Sequence, residues 1–335
     1  MRSIDASPEW LHGAVSLERI DGGLKAWRIP YDMRELFPPD ALNGRAEEAA
    51  GIRLELISDT TRLRIVFQPI EAEAKFVCSY GGENVVCRVA PGGREAMFAD
   101  LPPERKRITV YFPQNRRIVW QRMDVDNGAF ADPFHDSRKR WVAYGSSITQ
   151  GCSIAVTPLP MEMWTAAASA VLDMQLYNLG FGGNCHHEPM MARLIRDLPA
   201  ELISLCFGIN VMGGCTLNDR TFQPSVLGFI QTVRDGHPET PIVILSPIYA
   251  PSRERTKNQV GLDLRRIRSE IAEAVHILQM RGDRRLILIH GTELLGESEE
   301  GYLPDGIHPD ARGHSIMANR FVTRLRELGM LVRGS

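Results

Sequence analysis

Cysteine is scarce in this chain, with 6 residues in 335, which excludes the dense disulfide framework of small secreted scaffolds. Long apolar runs are missing as well. No window of the sequence approaches eighteen consecutive apolar residues, so no membrane span is expected. Neither sign of charge dominates: 39 Lys and Arg face 41 Asp and Glu, for a formal net charge of −2. That balance gives no electrostatic reason to expect a polyanion partner. Basic clusters interleaved with aromatics are absent, so no nucleic-acid surface is expected. The short run Arg105-Lys106-Arg107, after Pro102-Pro103-Glu104, reads as a solvated turn. Residues 1–18 carry scattered charges and no apolar leader core, and the expected location is cytoplasmic. What is present, 44% hydrophobic and 24% charged residues, is the composition of a globular protein long enough for two domains.

The periodicity changes near residue 136, and domains of residues 1–135 and 136–335 are expected. Before the change lie short, partly alternating runs: Ile52–Ile57, Leu63–Phe67, Lys75–Tyr80, Asn84–Val89 and Arg107–Phe112. Their spacing and Gly/Pro/Asp punctuation predict an antiparallel β-sandwich of jelly-roll type. Cys78 and Cys87 flank the Gly81-Gly82 turn and are expected as reduced, packed thiols. The polar stretch Asp124–Ser137 reads as the linker. Beyond it, apolar strand candidates at Trp141–Tyr144, Gln175–Asn178, Leu202–Phe207, Ile242–Ser246 and Leu286–His290 alternate with helical segments. The helices are expected at Glu162–Leu172, Pro189–Asp197, Phe222–Arg234, Gln259–Met280 and Ala311–Leu328. Five such units predict an α/β fold, a doubly wound five-stranded parallel sheet of flavodoxin type.

In such sheets ligands bind beyond the carboxyl ends of the strands, and four short motifs fall in that layer. They are Gly145-Ser146-Ser147-Ile148-Thr149, Asn178-Leu179-Gly180-Phe181-Gly182-Gly183, Gly208-Ile209-Asn210 and Asp305-Gly306-Ile307-His308. Ser147 sits in a turn past the first strand, where its hydroxyl can be exposed; Ser146 is the competing reading, as a helix cap. The turn is not the Gly-x-Ser-x-Gly elbow of α/β-hydrolases, because Thr149 stands where the last glycine belongs. A hydroxyl becomes a nucleophile only with a base, and the base needs an orienter. Asp305 and His308, three residues apart before the last helix, offer that pair. The competing reading makes Asp305 or Asp310 an N-cap. Asn210 and Gly183 can donate an amide N–H to a developing oxyanion, as can the N–H of Ser147. Cys185-His186-His187-Glu188 puts four metal-ligating residue types in a row. Adjacent side chains diverge and the His-Glu-x-x-His spacing is missing, so no metal is expected there. The same loop makes Asn184, His186 and His187 the candidate substrate contacts. Met161, Met163 and Trp164 read as a core helix face.

On these four blocks the second half resembles the SGNH (GDSL-type) hydrolases, over about residues 138 to 330. The resemblance implies a catalytic Ser147, His308 and Asp305, an oxyanion hole of Ser147, Gly183 and Asn210, and no need for a metal or organic cofactor. Ser146 replaces the family's usual aspartate before the nucleophile, and Val211 replaces the aspartate that often follows the asparagine. An N-terminal β-sandwich resembles the family's two-domain carbohydrate-esterase and acyltransferase branches. The implied activity is a serine esterase removing a small acyl group, acetyl above all, from a sugar or other small polyol. An acyltransferase using the same acyl-serine is the alternative. A non-catalytic binding protein is a third reading that the filled site positions disfavour. The expected partner is a small ester, acylated carbohydrate included, with no nucleic acid and no membrane; a homo-oligomer stays open.

Overall fold

The computed structural model describes residues 1–153 and 157–330, so the last residues of the expected second domain lie outside the described residues. The chain divides into two compact units. One comprises Met1–Glu35, Asn43–Ser137 and Leu159–Met161, the other Leu36–Leu42, Arg138–Pro158 and Glu162–Ser335.

The first unit is a sandwich of two antiparallel sheets. One orders Ser16–Ile20, Gly23–Trp27, Val119–Val125, Leu63–Phe67 and Glu95–Phe98, with Arg2–Asp5 also paired to Val119–Val125. The other orders Ala131–Pro133, Arg53–Ser58, Lys106–Tyr111, Ala74–Tyr80 and Glu83–Val89, with Leu11–His12 also on Arg53–Ser58. Alternate residues of both sheets, among them Leu54, Leu56, Ile65, Phe67, Phe76 and Trp120, fill one buried core. Phe67 of one sheet stacks on Phe76 of the other with ring centroids 4.6 Å apart.

Two expectations fail here, for the same reason: charge in this unit is paired between neighbouring strands and turns instead of being left to solvent. The expected linker Asp124–Ser137 contributes the end of one strand and all of another. Asp124 is fully buried between Arg64 and Arg122, and Asp126 accepts hydrogen bonds from Thr61 and Arg62. Likewise Lys106 and Arg107 open a strand instead of a solvated turn; Arg107 pairs with buried Glu55, which Arg53 also holds. His12, Glu55 and Asp136 bring ligand atoms within 4.8 Å of one another, but the guanidiniums of Arg53 and Arg107 already neutralise the carboxylates. Cys78 and Cys87 are free thiols, because the register sets Cys87 opposite Phe76 and Cys78 opposite Val85.

The second unit, numbered from residue 138, holds a five-stranded parallel sheet. Its strands are β1 (Arg140–Gly145), β2 (Gln175–Gly180), β3 (Leu202–Cys206), β4 (Ile242–Leu245) and β5 (Leu286–Ile289), in the order β2-β1-β3-β4-β5. This is the flavodoxin-like order, in which the chain reverses direction beside β1. The helices are α1 (Ser147–Gln150), α2 (Trp164–Val171), α3 (Pro189–Asp197), α4 (Ile209–Gly214), α5 (Phe222–Gly236), α6 (Leu264–Met280), α7 (Gly291–Leu294) and α8 (Ala311–Glu327). Near-continuous burial of the central strands fits a sheet covered on both faces. On one face Trp141 stacks on Phe321 at 5.2 Å and meets Trp164 edge-on at 5.7 Å, so Met163 and Trp164 belong to the core. Helix α6 begins five residues later than the periodicity predicts. Asp263 caps it by accepting the Arg266 N–H at 2.8 Å, while Asn258 closes the preceding loop by accepting the Leu262 N–H. Among the described residues no helix is long and apolar enough to cross a membrane.

Candidate active site

The two serines after β1 divide the labour their sequence left open. Ser146 is buried, and its hydroxyl caps α1 by accepting the Ile148 N–H at 3.2 Å. Ser147 becomes the first residue of that helix and stays partly exposed. The chain turns this sharply because Gly145 has no side chain: a Cβ there would lie 2.2 Å from Thr149 Oγ1.

Ser147 Oγ lies 2.7 Å from His308 Nε2, and His308 Nδ1 lies 2.7 Å from Asp305 Oδ2. The other Asp305 oxygen accepts the backbone N–H groups of Ile307 and His308 at 3.0 and 2.7 Å. An ionised carboxylate only accepts, so the hydrogen-bond network places the imidazole proton on Nδ1 and leaves the Nε2 lone pair for Ser147. Burial pushes the Asp305 carboxyl up, but the bonds from the His308 backbone, the His308 ring and the Ile307 backbone outweigh it and hold it below the usual carboxylate range. The capping role falls instead to Asp310, which accepts the Gly313 N–H at the start of α8. His308 and Asp305 side chains are 22% and 28% exposed, so the base is reachable.

A loop from β2 runs between Ser147 and α4. Gly180 is there for close approach, since a Cβ would lie 2.2 Å from the Gln150 backbone nitrogen. Asn178, at the end of β2, accepts the Gly180 N–H and donates to the Thr149 carbonyl; buried Gln150 accepts the Gly182 N–H at 2.7 Å. These bonds tie the glycine loop to the serine turn. They leave Gly183, exposed at φ +75°, with an N–H that finds no acceptor among the described residues. Asn210 is oriented by the same loop. Its Oδ1 accepts the Cys185 N–H at 3.1 Å, and its Nδ2 donor finds no acceptor among the described residues. Val211, the departure from the family pattern, is fully buried. The arrangement has a hydroxyl hydrogen-bonded to a base, and the base to a carboxylate, the components of nucleophilic acyl transfer.

The Cys185–Glu188 side chains diverge, each to its own partner. Cys185 Sγ meets the Cys206 carbonyl, His186 meets Thr216 and the Gly183 carbonyl, and Glu188 accepts the Tyr144 hydroxyl at 2.8 Å. Glu188 Oε1 also accepts the His186 N–H, so this carboxylate pins the loop that carries Gly183. Tyr144 did not stand out in the sequence, because a strand tyrosine carries no motif, and Glu188 stood out only as one of four adjacent metal-ligating residue types and not as a partner for Tyr144. Of the three expected substrate contacts, His186 stays partly exposed, whereas Asn184 and His187 are buried. Asn184 is buried and braces the turn by donating to the Gly182 carbonyl. His187 is a correction: it is buried beside Phe207, Phe222 and Phe229, with Nδ1 on Ser225 Oγ.

Burial, with the neighbouring His186 charge, depresses the His187 pKa from 6.5 to about 3. The unfolded chain therefore takes up a proton that the folded chain refuses. The stability from neutral His187 is full above about pH 6.5 and is lost as pH falls toward 3. Wild type is expected to lose melting temperature steeply between about pH 7.5 and about pH 4.5. His187 has a φ of +64°, which asparagine tolerates, so His187→Asn is expected to melt lower at neutral pH but with a shallower acid slope. Thermal melts at the two pH values check this; parallel slopes would refute it.

Residues 138–326 match the GDSL-like Lipase/Acylhydrolase family. The chain belongs to that family. Residues 10–107 match the N-terminal domain of SsfX3. Among solved structures, the chain is similar over 98% of both lengths to the salicylyl-acyltransferase SsfX3 from a tetracycline biosynthetic pathway, at 28% identity and a TM-score of 0.89. A chain from Bacteroides ovatus described as a GDSL-like lipase follows at 20% identity and a TM-score of 0.81, over 100% of this chain and 99% of that one. A family two carbohydrate esterase from Clostridium thermocellum shares the fold at 15% identity and a TM-score of 0.68, over 96% of this chain and 100% of that one. No curated protein matches. Family membership makes the chain a serine hydrolase of ester bonds.

Proposed function

We propose that the chain releases a small acyl group, acetyl above all, from an ester of a small sugar or polyol through an acyl group carried on Ser147. The observation that carries this reading is the unbroken hydrogen-bond chain from Ser147 Oγ through His308 to Asp305. His308 Nε2 takes the Ser147 proton as Oγ attacks the ester carbonyl, and Asp305 stabilises the imidazolium that forms. The carbonyl oxygen becomes an oxyanion received by the N–H groups of Ser147 and Gly183 and by Asn210 Nδ2. Collapse breaks the C–O bond, and the departing alcohol takes the proton from His308. Water, activated by the same imidazole, then attacks the acyl carbon and releases the acid and free Ser147.

A second reading, transfer of the acyl group to an alcohol in place of water, is favoured by the likeness to an acyltransferase over nearly the whole chain. The test is turnover of 4-nitrophenyl esters of increasing chain length, with product analysis in the presence and absence of a polyol. A rate highest for acetate, with free acid as product, is the expected result. A rate that climbs with chain length would overturn the small-acyl reading. Acyl-polyol as the dominant product would move transfer ahead of hydrolysis.

A further inference from the structure

The turn Pro251–Arg253 after β4 lies between two blocks of the site. On one side it meets the loop of Asp305: a Cβ on Gly306 would sit 4.0 Å from Pro251 Cγ. On the other it meets α4, the helix that carries Asn210. A Cβ on Gly213 would sit 3.1 Å from Arg253 Nη1 and 3.7 Å from both Cζ and Nη2. The Arg253 guanidinium thus lies flat against a stretch of helix that has no side chain. Gly214 continues that bare strip, and His186 borders it: a Cβ on Gly214 would sit 3.1 Å from His186 Cε1.

Arg253 is half-buried, yet its guanidinium makes no hydrogen bond or ion pair among the described residues. Its neighbours are already committed. Glu254 is held by both ends of Arg268, and the Asp305 oxygens are taken by His308 and Ile307. Asp305 acts on Arg253 through its field without an ion pair, and burial pushes the arginine's pKa down. A guanidinium with five N–H donors, partly desolvated and unmatched, is costly unless something else fills its donors. Its planar fork matches the paired oxygens of a carboxylate or a phosphate, and a carboxylate is the oxyanion that a small acyl ester can itself carry.

We propose that Arg253 binds an anionic group of the substrate, a carboxylate, so that the ester cleaved at Ser147 carries a negative charge within reach of the Gly213-Gly214 strip. This rests on the function proposed above and narrows it: the small ester is an acidic one, its carboxylate on either the acyl or the alcohol portion. Arg253 then sets specificity at a position separate from the oxyanion donors.

The experiment compares wild type, Arg253→Gln and Arg253→Lys on three esters. These are 4-nitrophenyl acetate, the mono-4-nitrophenyl ester of succinate with its carboxylate on the acyl side, and 4-acetoxybenzoate with its carboxylate on the alcohol side. The methyl ester of each acid serves as its neutral match. Wild type is expected to prefer one acid over its methyl ester, and R253Q to lose about 10- to 100-fold of that ratio, chiefly through KM. R253K, which keeps the charge without the fork, is expected between the two. The acid that responds identifies the acyl or the alcohol side. A ratio equal in wild type and R253Q overturns the proposal, whether the absolute rates hold or fall together. If wild type cleaves no ester at all, the failure is that of the esterase reading, and Arg253 is judged by calorimetry of succinate and benzoate on Ser147→Ala. Binding weakened about 10-fold or more by adding R253Q supports the anion site, and equal binding overturns it.

Discussion

Ser147→Ala is expected to lower kcat for ester cleavage by on the order of 10⁴- to 10⁶-fold while leaving the melting temperature within a few degrees. The size follows from the reaction, which has no other nucleophile to form the acyl bond. Ser146 is adjacent but cannot substitute, because it is buried and its hydroxyl is committed to capping α1. The small stability change follows from the partial exposure of Ser147 and from its one side-chain partner, His308, which also remains partly exposed. His308→Ala is expected to cost about as much, and the double variant little more than either, since the two act as one unit. Kinetics of the three variants on one fast aryl ester check the prediction. Residual activity above about 1% in S147A would move the nucleophile elsewhere.

Much of the second unit was legible because buried parallel strands announce themselves as apolar runs, and helices by their period and caps. All five strand candidates lie within a few residues of the observed strands, and α3 has the predicted bounds. The sandwich was less legible. Val119–Val125 carries a register shift between Trp120 and Arg122, which breaks the period of two a strand is recognised by. Gly23–Trp27 opens on a glycine and buries Lys25 between Glu18 and Glu47, so its composition does not announce a buried strand. At the site, residues whose chemistry needs a particular type were visible, and Ser147, His308 and Asp305 lie in one hydrogen-bonded chain. The roles of those that act by holding backbone were not. Gln150, Asn178 and Glu188 fix the glycine loop through bonds to main-chain N–H groups. Such bonds depend on which loops meet in space, and no local pattern encodes that. His187 misled for the complementary reason: a histidine beside three phenylalanines distant in sequence is a core residue only once the fold is known.

Asp305→Asn is expected to cost on the order of 10⁴-fold in kcat with little loss of stability, which separates the charge of this residue from its place in the loop. Asp305 has two separable tasks. One oxygen accepts the backbone N–H groups of Ile307 and His308 and so shapes the turn; the other accepts His308 Nδ1–H and so sets the tautomer. The asparagine carbonyl can keep the first task. Its NH₂ then faces Nδ1, and the only bond available is one in which Nδ1 accepts and the ring proton moves to Nε2. That proton points at Ser147, so the imidazole has no lone pair with which to take the serine's hydrogen. Asp305→Ala removes both tasks, and it should therefore lower the melting temperature as well as the rate. In wild type the carboxyl is held below the usual carboxylate range, so it stays ionised throughout the neutral range and does not itself set an acid limb there. Steady-state rates and thermal melts of the two variants check the argument. If Asp305→Asn kept activity within about 10-fold of wild type, the imidazole would have to be oriented by another group, and the role proposed for Asp305 would be lost.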